Sequence, residues 1–298
     1  MTKFMELKGG LGNQLFQYFA GQMIAKEASD DLVLTLPNSS QHKIHHASSI
    51  LDLELPQIVE TDFVASTGRL SLLRKGRNLL TRKSDFSRGL LNRYSSTYVS
   101  GPAGFDSNFL NFSKSTFFEG YFQTYRHVEE FREEINFSIR PVRRSHYYEK
   151  TLIEIREKKP TAVHMRRADY LPLKETIGIL GCDYYKRALT IVNDRNPNSP
   201  IWLFTDDLEG AQQTLQNLDV VFDRIITADT ELSAAETLIL LSEAPCKIIA
   251  NSTFSWWAAY LGSGGGLIIA PSPWYRTNSI EAELIPANWM LINSDWEN

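Results

Sequence analysis

The sequence predicts an α/β protein built from two doubly wound parallel sheets. Three observations point there: 298 residues exceed the roughly 100 to 200 of one usual domain, strand-like and helix-like apolar patterns alternate in two separate series, and a glycine turn joins the first strand to the first helix. Lys3–Leu7 reads as the first strand and runs into Gly9-Gly10-Leu11-Gly12. From Asn13 the apolar residues Leu15, Phe16, Phe19, Ala20, Met23 and Ile24 recur at spacings of three and four, which is a helix pattern. Leu32–Leu36 follows as a strand. The alternation resumes near residue 151, with strand 161–165, a helix from Asp183, strand 200–204, a helix near 208–217, strand 219–222, helix 231–243, strand 246–250, a helix from Thr253 and strand 267–270. Strands separated by helices pair in parallel. We therefore expect one domain over residues 1–150 and a second over 151–298, with no clear alternation between residues 38 and 150.

Composition narrows the function. At 43% hydrophobic and 22% charged residues the chain has ample material for a core, and a net charge of −4 with a pI near 5.9 gives it no general attraction for nucleic acid. Cys182 and Cys246 cannot frame a chain of this size with disulfides, which suggests a reducing compartment. The opening residues contain no apolar signal core, and no run of 18 apolar residues occurs, so a cytoplasmic protein is expected. One segment breaks the acidic balance: Gly68 to Arg93 holds eight basic residues and one acid, interleaved with leucine pairs. It reads either as a helix with a solvated basic face or as a patch for peripheral contact with the anionic inner membrane surface.

The stretch TAVHMRRADY, 161–170, runs an apolar strand into His164, Arg166, Arg167 and Asp169. Alternation along a strand puts His164 and Arg166 on one face and Arg167 on the other, where Arg167 would order Asp169 or the loop. The carboxyl end of a strand in such a sheet is where ligands bind, and the planar arginine fork suits phosphate oxygens; the alternative is an internal ion pair of an arginine with Asp169. Asp206 and Asp207 leave the strand at WLFTDD, either to accept from a guanine or ribose or to cap a helix. Asn251-Ser252-Thr253-Phe254-Ser255 ends another strand and offers hydroxyls and free amides to a phosphate, while Trp256 and Trp257 read as core. Gly10 and Gly12 lie at a turn where the backbone can approach a ligand closely. A dinucleotide fingerprint would need glycine where Leu15 stands, so an oxidoreductase site is disfavoured. No Asp-x-Asp and no ligand-spaced cluster offers a seat for a metal.

Four of these segments together resemble the bacterial α-1,2-fucosyltransferases, family 11 of the glycosyltransferases: Gly9 to Tyr18, Gly120-Tyr121-Phe122-Gln123, His164 to Tyr170 and Asn251 to Trp257. The chain departs from the family pattern at Ala168, where glycine is usual. The resemblance implies a GT-B-type architecture of two Rossmann-like lobes facing a cleft. It implies transfer of L-fucose from GDP-β-L-fucose, without a metal or cofactor and with inversion, to O2 of a terminal galactose. The acceptor would be a β-galactoside oligosaccharide, free or lipid-linked, in surface polysaccharide or O-antigen synthesis. Residues 151–298 would bind the donor, with Arg166 on the β-phosphate beside His164, Asp206 on guanosine, Asp207 adjoining, and Asn251, Ser252, Thr253, Phe254 and Ser255 along the diphosphate. Residues 1–150 would face the acceptor through Asn13, Gln14, Tyr121 and Gln123, with Gly10, Gly12 and Asn13 also reaching the donor. Asp169 is the candidate general base and acceptor contact, with Glu175 and Asp183 as substitutes. A nucleotide-linked oxidoreductase and a non-catalytic glycan-binding protein remain the rival readings.

Overall fold

The computed structural model describes residues 2–36, 50–65, 97–100, 104, 106, 109–112, 114–228, 230–262, 266–277 and 283–297; the basic segment 68–93 lies outside them. The chain divides into two compact units, Met1–Ile50 with Leu55–Ser138 and Ala282–Leu284, and Leu51–Glu54 with Ile139–Glu281 and Ile285–Asn298. In chain order the strands are β1 (Thr2–Glu6), β2 (Asp31–Leu36), β3 (Leu53–Glu54), β4 (Thr61–Ala65), β5 (Thr97–Val99), β6 (Phe117–Glu119) and β7 (Arg140–Pro141). There follow β8 (Thr161–Met165), β9 (Ile201–Thr205), β10 (Arg224–Thr227), β11 (Cys246–Ile248), β12 (Ile268–Ser272) and β13 (Met290–Asn293).

The first unit holds a parallel sheet in the order β4-β2-β1-β6-β5, so the strand order reverses between β1 and β6. From the end of β1 the glycine turn leads into α1 (Leu11–Ala28), which begins two residues before the expected Asn13 because Gly10, extended at φ −73, serves as its N-cap. Leu15, Phe16, Phe19, Ala20 and Ile24 are fully buried, as the apolar spacing requires. Three glutamines are buried with them, each with its amide partnered as burial demands. Gln22 ties to Thr61 and the backbone of Ile58 and Val59. Gln17 accepts from Lys8 N–H and donates to the Gly120 carbonyl, both at 2.9 Å, so it stitches the loop after β1 to the loop after β6.

The second unit holds a parallel sheet in the order β10-β9-β8-β11-β12-β13, which reverses between β8 and β11. All five residues of β8 are buried, and Val163 and Met165 pack with Leu203, Ile248, Ile269, Tyr184, Tyr185 and Val192 in one core. The helices Cys182–Arg195, Leu208–Leu215, Ala234–Glu243 and Thr253–Leu261 fall where the periodicity puts them. Trp256 and Trp257 are fully buried core residues, as expected. The helix His146–Lys158, not read from the sequence, belongs here too: Arg156 forms a two-point ion pair with Glu243, and Glu236 accepts from Ser145 N–H. The units accordingly part at Ser138 and Ile139, ahead of residue 150.

Two elements differ from expectation. Residues 219–222 are not a strand: Val221 is 80% exposed, and the edge strand is Arg224–Thr227. Asp223 sets that register by exchanging hydrogen bonds with Ile201, its N–H donating to the Ile201 carbonyl at 2.9 Å and its Oδ2 accepting from Ile201 N–H at 2.8 Å. The strand β13, unanticipated, extends the other edge alongside β12. Two parallel α/β units, the fold class expected, are what the chain forms.

Candidate active site

In an open parallel sheet the crevice for a ligand lies outside the carboxyl ends of the strands where the strand order reverses. In the second unit that point is the end of β8 and β11, and the two motifs His164–Tyr170 and Asn251–Ser255 leave the sheet there. Arg166 is the first residue beyond β8. Its Nε lies 2.8 Å from Asp169 Oδ1, Nη2 donates to Asp169 Oδ2 at 2.8 Å, and Nη1 lies 3.1 Å from Asp206 Oδ2. Burial would weaken the guanidinium, but Asp206 and Asp169 outweigh it and hold its pKa above the ordinary arginine value. The side chain keeps 30% of its surface open, and a guanidinium has five N–H donors, so this fixed cation can still receive a phosphate.

Of the two roles expected for Arg167, it orders the loop and does not hold Asp169. Its pairing is with Asp207 and Glu297, and it is Arg166 that holds Asp169. The reason is local: β8 stops at Met165, and Arg167 adopts φ −140, ψ −52, so the two-residue period no longer applies. Arg167 is buried at 7% exposure, and its carbonyl accepts from Tyr170 and Leu171 N–H, which starts the 3-10 turn Ala168–Leu173. It does order the loop, through its backbone. Its own N–H donates to Asp206 Oδ1 at 2.9 Å.

The paired acids of β9 divide their work. Asp207 caps the helix Leu208–Leu215, accepting from Gly210 N–H at 3.0 Å, and ion-pairs with Arg167, so it is committed to the fold. Asp206 touches both arginines. After β11, Ser252 caps the helix Thr253–Leu261 through Phe254 N–H, while Thr253 and Phe254 are half-buried. Ser255 turns inward, donating to the Ala250 or Ser252 carbonyl, and Asn251 spends its amide N–H groups on the Ile177 and Gly178 carbonyls. Those two side chains shape the turn and present no surface to a diphosphate. His164 is 5% exposed and stacks on Phe254 with ring centroids 5.8 Å apart. Burial first, then Arg166, pushes its pKa down to about 3, and Nδ1 has no hydrogen-bond partner among the described residues, so the ring is neutral. Tyr170, not singled out in the sequence, reaches from the 3-10 turn to the Asn251 carbonyl at 3.2 Å, and burial raises its hydroxyl to about 12.

In the first unit the reversal between β1 and β6 gathers the other motifs. Gly9 needs φ +76, and Gly10 and Gly12 bring an 18-residue helix to an N-terminus with no side-chain cap and no acid in its first turn. Asn13 Oδ1 accepts from Gln123 Nε2 at 2.9 Å, which joins the glycine turn to the loop after β6. Tyr121 is 38% exposed, with Lys8 Nζ 5.5 Å from its ring centroid. Gln14 is buried and bonded to Gly9 and Ile50, so it supports the turn and offers nothing outward. Of the substitute bases, Asp183 is exposed in the first turn of the helix Cys182–Arg195, and Glu175 has a side chain 70% exposed near Lys174 and Arg276. Among the described residues no group of three His, Cys, Asp or Glu could hold a metal ion, and no helix is long and apolar enough to cross a membrane.

An arginine fixed between two carboxylates at a sheet's switch point, beside a helix N-terminus, is a place for a phosphate-bearing ligand in a parallel α/β enzyme fold. The sequence matches the family described as glycosyl transferase family 11 over residues 75–293, and the chain belongs to that family. It is therefore a glycosyltransferase, which sets aside the oxidoreductase and the non-catalytic glycan-binding protein. It is 27% identical to an alpha-1,2-colitosyltransferase of Escherichia coli, over 96% of this chain and 97% of that protein. An Escherichia coli O-antigen biosynthesis glycosyltransferase, WbnK, is 30% identical over 49% of this chain and 48% of that protein. A galactoside alpha-(1,2)-fucosyltransferase 1 of Oryctolagus cuniculus is 29% identical over 45% of this chain and 37% of that protein. The chain thus spans nearly all of the first, about half of the second and just over a third of the last. Among solved structures, the fucosyltransferase NodZ from Bradyrhizobium superposes with a TM-score of 0.50 at 13% identity, covering 87% of this chain and 92% of that one, a likeness of fold.

Proposed function

We propose that the protein transfers L-fucose from GDP-β-L-fucose to O2 of a terminal β-galactoside, with inversion and without a metal ion or cofactor. The observation that carries the reading is Arg166, a cation held by Asp169 and Asp206 at the switch point of the second unit. The names of the colitosyl- and fucosyltransferase relatives support the α-1,2 linkage. In this reading the second unit binds the donor, with the diphosphate on Arg166 and the N-terminus of the helix Thr253–Leu261. The first unit receives the acceptor through Asn13, Gln123 and Tyr121, and the acceptor is a glycan of surface polysaccharide or O-antigen synthesis, free or lipid-linked.

The reaction is a single displacement. The galactose O2 attacks the anomeric carbon, the bond from that carbon to the diphosphate oxygen breaks with its electron pair leaving on GDP, and the acceptor proton passes to Asp169. Both Asp169 oxygens lie on Arg166. The incoming diphosphate competes for the same guanidinium and frees the carboxylate to act as base. His164, held neutral, packs beside Arg166 without adding a second positive charge.

A second reading has its own support in the colitosyltransferase matched over nearly the whole chain. Colitose lacks the 3-hydroxyl of fucose, so the two donors differ at one polar contact. Rates of GDP release from GDP-fucose and from its 3-deoxy counterpart, each against a panel of terminal β-galactosides, test both. A preference for GDP-fucose supports the proposal. A preference for the 3-deoxy donor replaces it with colitosyl transfer, and hydrolysis without transfer to any galactoside refutes both.

A further inference from the structure

Glu297 stands outside every motif considered above, 130 residues from the arginine it meets. We propose that Glu297 is a positioning residue for glycosyl transfer: by sharing the buried Arg167 charge with Asp207, it fixes the loop that carries Arg166. The inference rests on Arg166 being the group that meets the diphosphate.

Arg167 is a buried cation and needs compensating acids. Its Nε lies 3.2 Å from Asp207 Oδ2, and its Nη1 contacts Glu297 Oε1 and donates to Thr214 Oγ1 at 2.8 Å. Burial weakens the charged guanidinium, and Glu297, ahead of Asp207, restores it, so Arg167 stays above its ordinary pKa. Thr214 Oγ1 also lies within hydrogen-bond reach of Glu297, which holds that carboxylate in place.

The backbone around Glu297 is pinned in its own right. Glu297 N–H donates to the Ile179 carbonyl at 2.8 Å, its carbonyl accepts from Arg276 Nη1 at 3.1 Å, and Trp296 bridges to Leu180. The Trp296 ring covers Gly178 so closely that a Cβ there would stand 2.4 Å from the indole. Asn251 donates to the carbonyls of Ile177 and Gly178, both at 3.1 Å, which ties the same short segment to the turn after β11.

From Glu297 to Arg166 the path runs through two residues, Arg167 and Asp206. Arg167 places Asp206 through its own N–H on Oδ1, and Asp206 Oδ2 faces Arg166 at 3.1 Å. Without the Glu297 charge, the Arg167 guanidinium is left with Asp207 and shifts toward it, and the Arg167 backbone N–H that places Asp206, the acid that orients Arg166, shifts with it. A buried cation that loses a carboxylate does not stay unpaired if a neighbour can move.

The test is a double-mutant cycle with Glu297→Gln, which keeps the shape and removes the charge, and Arg166→Lys. Rates are taken per GDP-binding site counted by calorimetry, so unfolded protein does not enter. The expected result is a kcat for Glu297→Gln lower by roughly 10- to 100-fold, as displacement of a reacting group produces, with KM for GDP-fucose changed far less. Adding Glu297→Gln to Arg166→Lys should cost little more, because both act through one group. Glu297→Asp should recover part of the rate, and it replaces Glu297→Gln in the same cycle if that variant fails to fold. A wild-type rate per site in the Glu297 variant, or losses that multiply in the double variant, overturns the proposal. If Arg166→Lys itself runs at the wild-type rate, the functional reading fails and this inference falls with it.

Discussion

Replacing Arg166 with lysine separates a catalytic role from a structural one. The guanidinium meets Asp169 with Nε and Nη2, both at 2.8 Å, and Asp206 with Nη1 at 3.1 Å. One ammonium cannot span both acids in that geometry, so Arg166→Lys keeps the charge and loses the fork. The side chains of Arg166 and Asp169 are 30% and 40% exposed, a degree at which an ion pair contributes about 0 to 1 kcal/mol to stability. The melting temperature should therefore hardly move. In the transition state, charge builds on the departing diphosphate, and losing one preorganised donor in comparable oxyanion sites costs about 3 to 4 kcal/mol, or roughly 10²- to 10³-fold in rate. The assay is GDP release at saturating GDP-fucose and acceptor, with thermal unfolding on the same preparation. A kcat near wild type in folded Arg166→Lys would refute the reasoning, because it would show that the arginine serves only to hold Asp169 and Asp206.

Two more outcomes follow from particular geometry and a third from the sequence. Gly120 has φ +145, and a Cβ there would lie 1.7 Å from Ser100 Oγ, so Gly120→Ala should lower stability by about 1 to 3 kcal/mol in denaturant unfolding, where an unchanged midpoint would contradict it. His164 has its pKa depressed to about 3 in the fold against 6.5 unfolded, so its contribution is complete above pH 6.5 and lost as pH falls from there toward 3. Between those limits His164→Asn should flatten the decline of stability by about 1.4 kcal/mol per pH unit, and an unchanged slope would mean the ring titrates normally. Residues 68–93, with eight basic residues, should make the protein sediment with anionic vesicles at low salt and release at high salt; no sedimentation would favour a solvated basic face.

Much of this molecule was legible because apolar periodicity reports burial. Strand 161–165 is β8 residue for residue, since five consecutive buried positions admit little else. Where burial stops, the signal stops. The run Val220-Val221-Phe222 has the residue types of a strand, but the pair of hydrogen bonds between Asp223, through its N–H and its carboxylate, and the Ile201 backbone starts the strand later. Asp169 pairs with Arg166 and not with Arg167 because the chain leaves the sheet after Met165, so strand alternation does not decide which arginine meets it. Arg166, Asp169 and Asp206 were legible as candidates because charged residues at a strand end stand out from the apolar pattern, and the structure brings the three into contact. Gln17, Tyr170 and Glu297 were not, because each acts through a contact distant in sequence that no local pattern encodes.

The most direct test of the central claim is the product itself. The protein is incubated with GDP-β-L-fucose and a terminal β-galactoside in excess EDTA, and the linkage and anomeric configuration of the product are read by NMR. The expected product carries an α-fucosyl group on galactose O2 and forms at the same rate as without EDTA. A β-linked product, attachment at another oxygen, or activity lost in EDTA and restored by Mg²⁺ or Mn²⁺ would contradict the claim.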